Sequence, residues 1–195
     1  MIGGTLLCIG DSLTYGARDE LGLHYPELLA RKLSKEFDQY WTAVNHGISG
    51  QTTPEILRRC YGHVRSYPEA AEVFLWAGFN DAKVSVSTPV PVYEENMSSM
   101  IRSILFAGRV GYLFLLPEMK GFGAPDFVNN ETIQKYNEVL VDLANFFGGK
   151  TKRLYLVDVR DVPAETRVDG VHLTHEGNAW VADQAFEVVK KARYR

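Results

Sequence analysis

Apolar positions in this chain alternate between two rhythms. Short apolar runs recur at Thr5–Ile9, Tyr40–Val44, Val73–Trp76, Val110–Leu116 and Leu154–Val157. Runs of that length predict buried strands. Between them the apolar residues recur at helical spacing. A first helix is predicted from Pro26, with Leu29, Leu33 and Phe37 on one face. A second starts at Thr53-Pro54 and carries Ile56, Leu57, Cys60, Tyr61 and Val64. The third presents Tyr93, Met97, Met100, Ile101, Ile104 and Leu105. The fourth presents Ile133, Tyr136, Leu140, Leu143, Ala144 and Phe147, and is expected to stop at Gly148-Gly149. The last follows Thr174, a candidate N-cap, and buries Val181, Ala182, Ala185, Phe186 and Val189.

Strict β-α alternation predicts a parallel sheet with helices on both faces. Right-handed crossovers leave few topologies. A flavodoxin-like three-layer α/β/α sandwich, strand order 2-1-3-4-5, fits five strands of this length. No repeat, linker or low-complexity tract divides the 195 residues, so one domain spanning residues 1–195 is expected. The Ser-, Thr- and Pro-rich stretch Val84–Val92 reads as a loop.

Composition narrows the partners. A formal charge of −3 gives no reason to expect nucleic acid or an anionic membrane. The basic run Lys190-Lys191-Ala192-Arg193-Tyr194-Arg195 suits a helix C-terminus. Cys8 and Cys60 sit among apolar residues and read as reduced core positions. No apolar run approaches the ~18 residues that span a membrane, and no signal peptide precedes the first strand. A cytoplasmic protein acting on a small molecule, without cofactor or metal, is the expectation.

In open α/β sheets, ligands bind at the carboxyl ends of the strands. Four segments fall on that rim: Gly10-Asp11-Ser12 after strand one, Asn45 to Thr52 after strand two, Gly78-Phe79-Asn80-Asp81 after strand three, and Asp169-Gly170-Val171-His172 after strand five. Together they bring a hydroxyl, a glycine-rich loop, a side-chain amide, and a carboxylate with an imidazole. Acyl transfer requires those parts. A serine needs a base within ~2.6–3.2 Å, and His172 can serve Ser12. Asp169, three residues earlier, can hold the imidazole in one tautomer. The backbone N–H groups of Ser12 and Gly50, with the Asn80 amide, can hold an oxyanion. Asp11, Leu13, Phe79 and Val171 adjoin these groups in sequence and are expected to contact substrate.

Gly10-Asp11-Ser12-Leu13 resembles the signature of the GDSL lipases and esterases, the SGNH hydrolase superfamily. The other three segments are similar to that family's remaining blocks, in the same order, from Ile9 to Gly177. The resemblance implies Ser12 as nucleophile, Gly50 and Asn80 in the oxyanion hole, and Asp169 and His172 completing the triad. Gly47 competes with Gly50, but Ser49-Gly50-Gln51-Thr52 fits the family's Ser-Gly-x-Thr pattern. No G-x-S-x-G elbow points to the larger α/β-hydrolase family. The family also holds thioesterases, lysophospholipases and carbohydrate deacetylases, and nothing in the chain separates them.

Blander readings compete at each position. Asp11 and Ser12 suit an ordinary turn, as Asn80 and Asp81 do. His24, His46 and His63 have no partner pattern and read as surface or loop residues. Asp169, His172 and His175 would make a carboxylate and two histidines for a metal, but a helical His-x-x-x-His is absent. A flavodoxin-like binding module is the alternative of another class. Asp11 opposes it, because a carboxylate beside a phosphate is repulsive. The loops Leu13–Tyr25 and Pro117–Asn130 are expected to wall the cleft and to suit small or short-chain esters.

Overall fold

The computed structural model describes residues 2–120 and 127–193. Five strands form one sheet in the order β2-β1-β3-β4-β5. They are β1 (Ile2–Gly10), β2 (Tyr40–Gly47), β3 (Glu72–Trp76), β4 (Val110–Phe114) and β5 (Leu154–Val157). Every neighbouring pair is parallel. A short helical turn, α1 (Ser12–Tyr15), follows β1. Five longer helices are α2 (Tyr25–Phe37), α3 (Thr53–Ser66), α4 (Val90–Phe106), α5 (Asn130–Thr151) and α6 (His175–Arg193). Helix α2 packs on α6, while α3 packs on α4 and α4 on α5. Right-handed crossovers from this strand order put the two groups on opposite faces.

The apolar runs are central because the sheet is covered twice. Leu6, Leu7, Cys8 and Ile9 are fully buried, and so are Val73, Phe74 and Leu75. Glu72 is the charged exception in β3. Arg193 of α6 donates to its Oε1 at 2.8 Å, so the buried carboxylate is paired. Both cysteines are free and buried.

β3 and α2 each start one residue earlier than the sequence reading, at Glu72 and Tyr25, and α4 takes up Val90–Val92 of the expected loop; four further boundaries differ, each for a local reason. β1 begins at Ile2, three residues early, because Ile2 already pairs with Tyr40. β2 runs on through Asn45, His46 and Gly47, since pairing with β1 continues to Gly10↔Gly47. β4 stops short of Leu116 because the Asn137 side chain takes that residue's N–H at 2.7 Å and ends the ladder. α5 does not stop at Gly148-Gly149 but at Lys152, which sits in the left-handed region at φ 56°. Gly148 is a contact glycine instead: a Cβ there would lie 2.7 Å from the Leu154 carbonyl oxygen.

Candidate active site

The end of β1 sets the first half of the site. Gly10 closes the strand, and Asp11 caps α1 by accepting from the Leu13 N–H at 2.9 Å. Ser12 is therefore the first residue of a helical turn. Its N–H lies outside the helical ladder, as first-turn N–H groups do. Asp11 itself is fully buried, and burial pushes its carboxyl up to about 7, with Asp81 nearby adding to the rise and the Leu13 hydrogen bond opposing it.

The second half comes from the turn before α6. Asp169 Oδ1 accepts from the N–H groups of Val171 at 3.2 Å and His172 at 2.9 Å. Its Oδ2 lies 2.8 Å from His172 Nδ1. Partial burial works to raise the Asp169 pKa, but these hydrogen bonds outweigh it and hold the carboxyl below its ordinary range. An ionised Asp169 can only accept, so Nδ1 donates and Nε2 is left as the acceptor. Nε2 lies 3.0 Å from Ser12 Oγ. The turn is fixed from behind. Gly170, at φ 79°, lies against Lys120, and a Cβ there would clash with the Lys120 oxygen. The buried Arg167 donates to the carbonyls of Glu118, Gly170 and Val162, binding this turn to the segments that follow β4 and β5.

Two further loops complete the rim. Gly47 is occupied structurally: its N–H donates to Asn45 Oδ1 at 3.0 Å, and Tyr15 packs against its Cα. Gly50, in the left-handed region at φ 82°, borders the cavity that holds Ser12 and His172. Asn80 borders the same cavity. Its Nδ2 donates to the Gln51 carbonyl at 2.9 Å and, at 3.3 Å, to Asp11 Oδ2. Asp81 points away and accepts from the N–H and hydroxyl of Thr53 at 2.9 and 2.6 Å, which ties the end of β3 to the start of α3.

The cavity over Ser12 measures about 440 Å³. Phe79, Phe127 and Val171 give it apolar walls, and Arg18 and Lys83 bring cations to its edge. Of the four residues expected to contact substrate, Phe79 and Val171 do border it. Asp11 and Leu13 do not: both are buried beneath it, because capping α1 turns the first inward and core packing takes the second. Within the loop Pro117–Asn130, residues 121–126 lie outside the described residues. A larger depression of about 880 Å³ is bordered by Glu118, Asn137, Asp142 and Arg160, and it does not include Ser12.

The profile of the GDSL-like lipase/acylhydrolase family matches residues 8–180. The chain belongs to that family. Its fold is shared with a lipase/acylhydrolase from Enterococcus faecalis at a TM-score of 0.80 and 22% identity, over 95% of this chain and 94% of that one. An aryl esterase from M. smegmatis superposes at 0.81 with 19% identity, over 97% and 100%. A carbohydrate acetylesterase from Sinorhizobium meliloti, Est24, superposes at 0.80 with 18% identity, over 99% and 100%. No curated protein matches the chain.

The remaining candidates of the sequence take other places. His175 starts α6, with Nδ1 3.7 Å from Asp19 Oδ2. Among the described residues no three His, Cys, Asp or Glu side chains gather as metal ligands. His46 and His63 are not isolated, because their rings stack at 3.9 Å. No helix among the described residues is long and apolar enough to cross a membrane. Arg18, Arg59, Lys83 and Arg167 were not singled out by any motif. Arg59 alone left a trace in the sequence: it lies three residues after Ile56 and beside Cys60, on the edge of an apolar helix face.

Proposed function

We propose that this member of the family is a serine esterase for small or short-chain carboxylic esters, acetyl esters among them. The arrangement Ser12 Oγ, His172 Nε2 and Asp169 Oδ2, at 3.0 and 2.8 Å, carries the reading. His172 takes the proton from Ser12 as Oγ attacks the ester carbonyl, and Asp169 stabilises the imidazolium that forms. The tetrahedral oxyanion accepts from the N–H groups of Ser12 and Gly50 and from Asn80. Asn80 exchanges its long bond to Asp11 for a charge-assisted one to the oxyanion. The C–O bond to the alcohol breaks, and the alcohol leaves with the proton from His172. Water, deprotonated by His172, then attacks the acyl-serine, and the acid departs as Ser12 recovers its proton.

The experiment is hydrolysis of p-nitrophenyl acetate by the wild type and Ser12→Ala. Hydrolysis that depends on Ser12 is expected, and equal rates would remove the nucleophile. An ester series of growing acyl length, with acetylated sugars alongside, separates short-chain esterase from carbohydrate deacetylase. The resemblance to Est24 in fold makes the acetylated sugars the informative arm.

A further inference from the structure

One side chain touches two of the segments that build the proposed oxyanion hole, Gly10 to Ser12 and Asn45 to Thr52, and reaches the third through Gln51. Arg59 projects from α3, and its guanidinium donates three hydrogen bonds in three directions. Nη2 reaches the Gly10 carbonyl at 2.8 Å, one residue before the Asp11-Ser12 turn. Nη1 reaches the His46 carbonyl at 2.8 Å, near the end of β2. Nε reaches Gln51 Oε1 at 2.7 Å, on the residue that follows Gly50. The backbone of Gln51 in turn accepts from Asn80 Nδ2 at 2.9 Å. The segments that carry the Ser12 and Gly50 N–H groups thus meet on one planar cation, and the Asn80 amide joins them through the Gln51 carbonyl.

We propose that Arg59 is a positioning residue that fixes the mutual placement of the three oxyanion donors. The inference rests on the esterase reading above. Gly10 and Gly47 are partners in the β1–β2 ladder, and the Ile48 N–H is the only backbone donor to Gly10 O among the hydrogen bonds beyond the ladders. Beyond that point the two chains diverge, one into α1 and the other into the Ser49-Gly50 loop. Backbone pairing cannot hold them past their divergence. A rigid fork that engages both carbonyls and the next side chain can do so. The partial burial of Arg59 sharpens the requirement, because the cation and its three acceptors must satisfy one another. No contact with substrate is implied, since Arg59 does not border the cavity.

The test is a double-mutant cycle on p-nitrophenyl acetate with Arg59→Met, Asn80→Ala and the pair. Arg59→Met is expected to lower kcat by about 10²-fold, the scale of a small misplacement at a reacting centre, with KM little changed. In the Asn80→Ala background, itself lowered by about 10²–10³-fold, most of the Arg59→Met loss should vanish, because the two act through one hole. Arg59→Lys keeps the charge but not the fork and should lose nearly as much as Arg59→Met. An unchanged kcat, fully additive losses, or full activity in Arg59→Lys would each overturn the proposal. If Arg59→Met does not fold, Gln51→Leu removes one arm of the clamp with the cation left in place. Its kcat should fall, non-additively with Asn80→Ala, and an unchanged kcat there would overturn the clamp. Failure of the esterase reading shows separately, as wild-type hydrolysis that survives Ser12→Ala.

Discussion

His172 Nε2 lies 3.0 Å from Ser12 Oγ, although the two residues stand 160 positions apart. The contact is oriented at both ends: Asp11 caps the turn that presents Ser12, and Asp169 fixes the ring that faces it.

That relationship makes its own prediction. His172→Ala should lower kcat by roughly 10⁴–10⁶-fold, as removal of a base does in other triads. Asp169→Asn should cost about 10⁴-fold with the fold intact, because an amide can hold the imidazole in the wrong tautomer. Steady-state kinetics together with a thermal melt of each variant check both. An Asp169→Asn enzyme of wild-type activity would show that the ring needs no orienting carboxylate.

Asp11 gives a pH signature in stability. Its folded carboxyl is raised by burial to about 7, above the ordinary value of 3.8. The unfolded chain therefore gives up this proton first as pH rises. The contribution is fully present below about pH 4 and is lost as pH climbs through about 7. Melting temperatures of wild type and Asp11→Asn, compared from pH 4 to pH 8, should show this component falling in the wild type and missing in the variant. Parallel curves would remove the assignment.

The pair His46 and His63 shifts the other way. Burial lowers both pKa values, and each ring also feels the cation of Arg59. Unfolded histidines take up protons first as pH falls. Stability should therefore be lost as pH drops from about 6.5 through the lower folded values. His63→Phe keeps a stacking ring and should lessen the acid-side loss, read as a smaller fall in melting temperature between pH 7 and pH 5.

Gly170 is a position where any side chain fails twice. Its φ of 79° disfavours an L-residue, and the Lys120 oxygen occupies the place of a Cβ. Gly170→Ala should destabilise the protein by more than the ~1–2 kcal/mol of the left-handed backbone alone. The turn carrying His172 must then shift, so kcat should fall as well. Denaturant unfolding and kinetics on the same preparation check the two effects together.

The edge of the cavity carries Arg18 and Lys83, and no carboxylate borders it among the described residues. An ester bearing a carboxylate should therefore be hydrolysed with a higher kcat/KM than a neutral ester of equal length, and salt should erode the preference. p-Nitrophenyl hemiglutarate against p-nitrophenyl pentanoate, at low and high ionic strength, measures it. A salt-independent preference for the neutral ester would contradict it.

The alternation of apolar runs and helical stripes determined the sheet, its strand order and its parallel sense. The physical reason is that each such element can bury its face in few ways. The gathering of Ser12, Asn80, Asp169 and His172 on one rim was legible too, because open parallel sheets bind ligands at the carboxyl ends of their strands. The tertiary structure decided what no linear pattern encodes. It showed the places of the two glycines between which a sequence pattern had favoured Gly50: Tyr15 packs on Gly47, while Gly50 borders the cavity. It turned Asp11 and Leu13 under the site instead of into it. It made Arg59 and Arg167 the supports behind the two halves of the site, through carbonyl acceptors that carry no side-chain signature. Hydrogen bonds to backbone oxygens depend on where strands end and diverge in space, and any residue can supply that oxygen, so the sequence alone is silent about them.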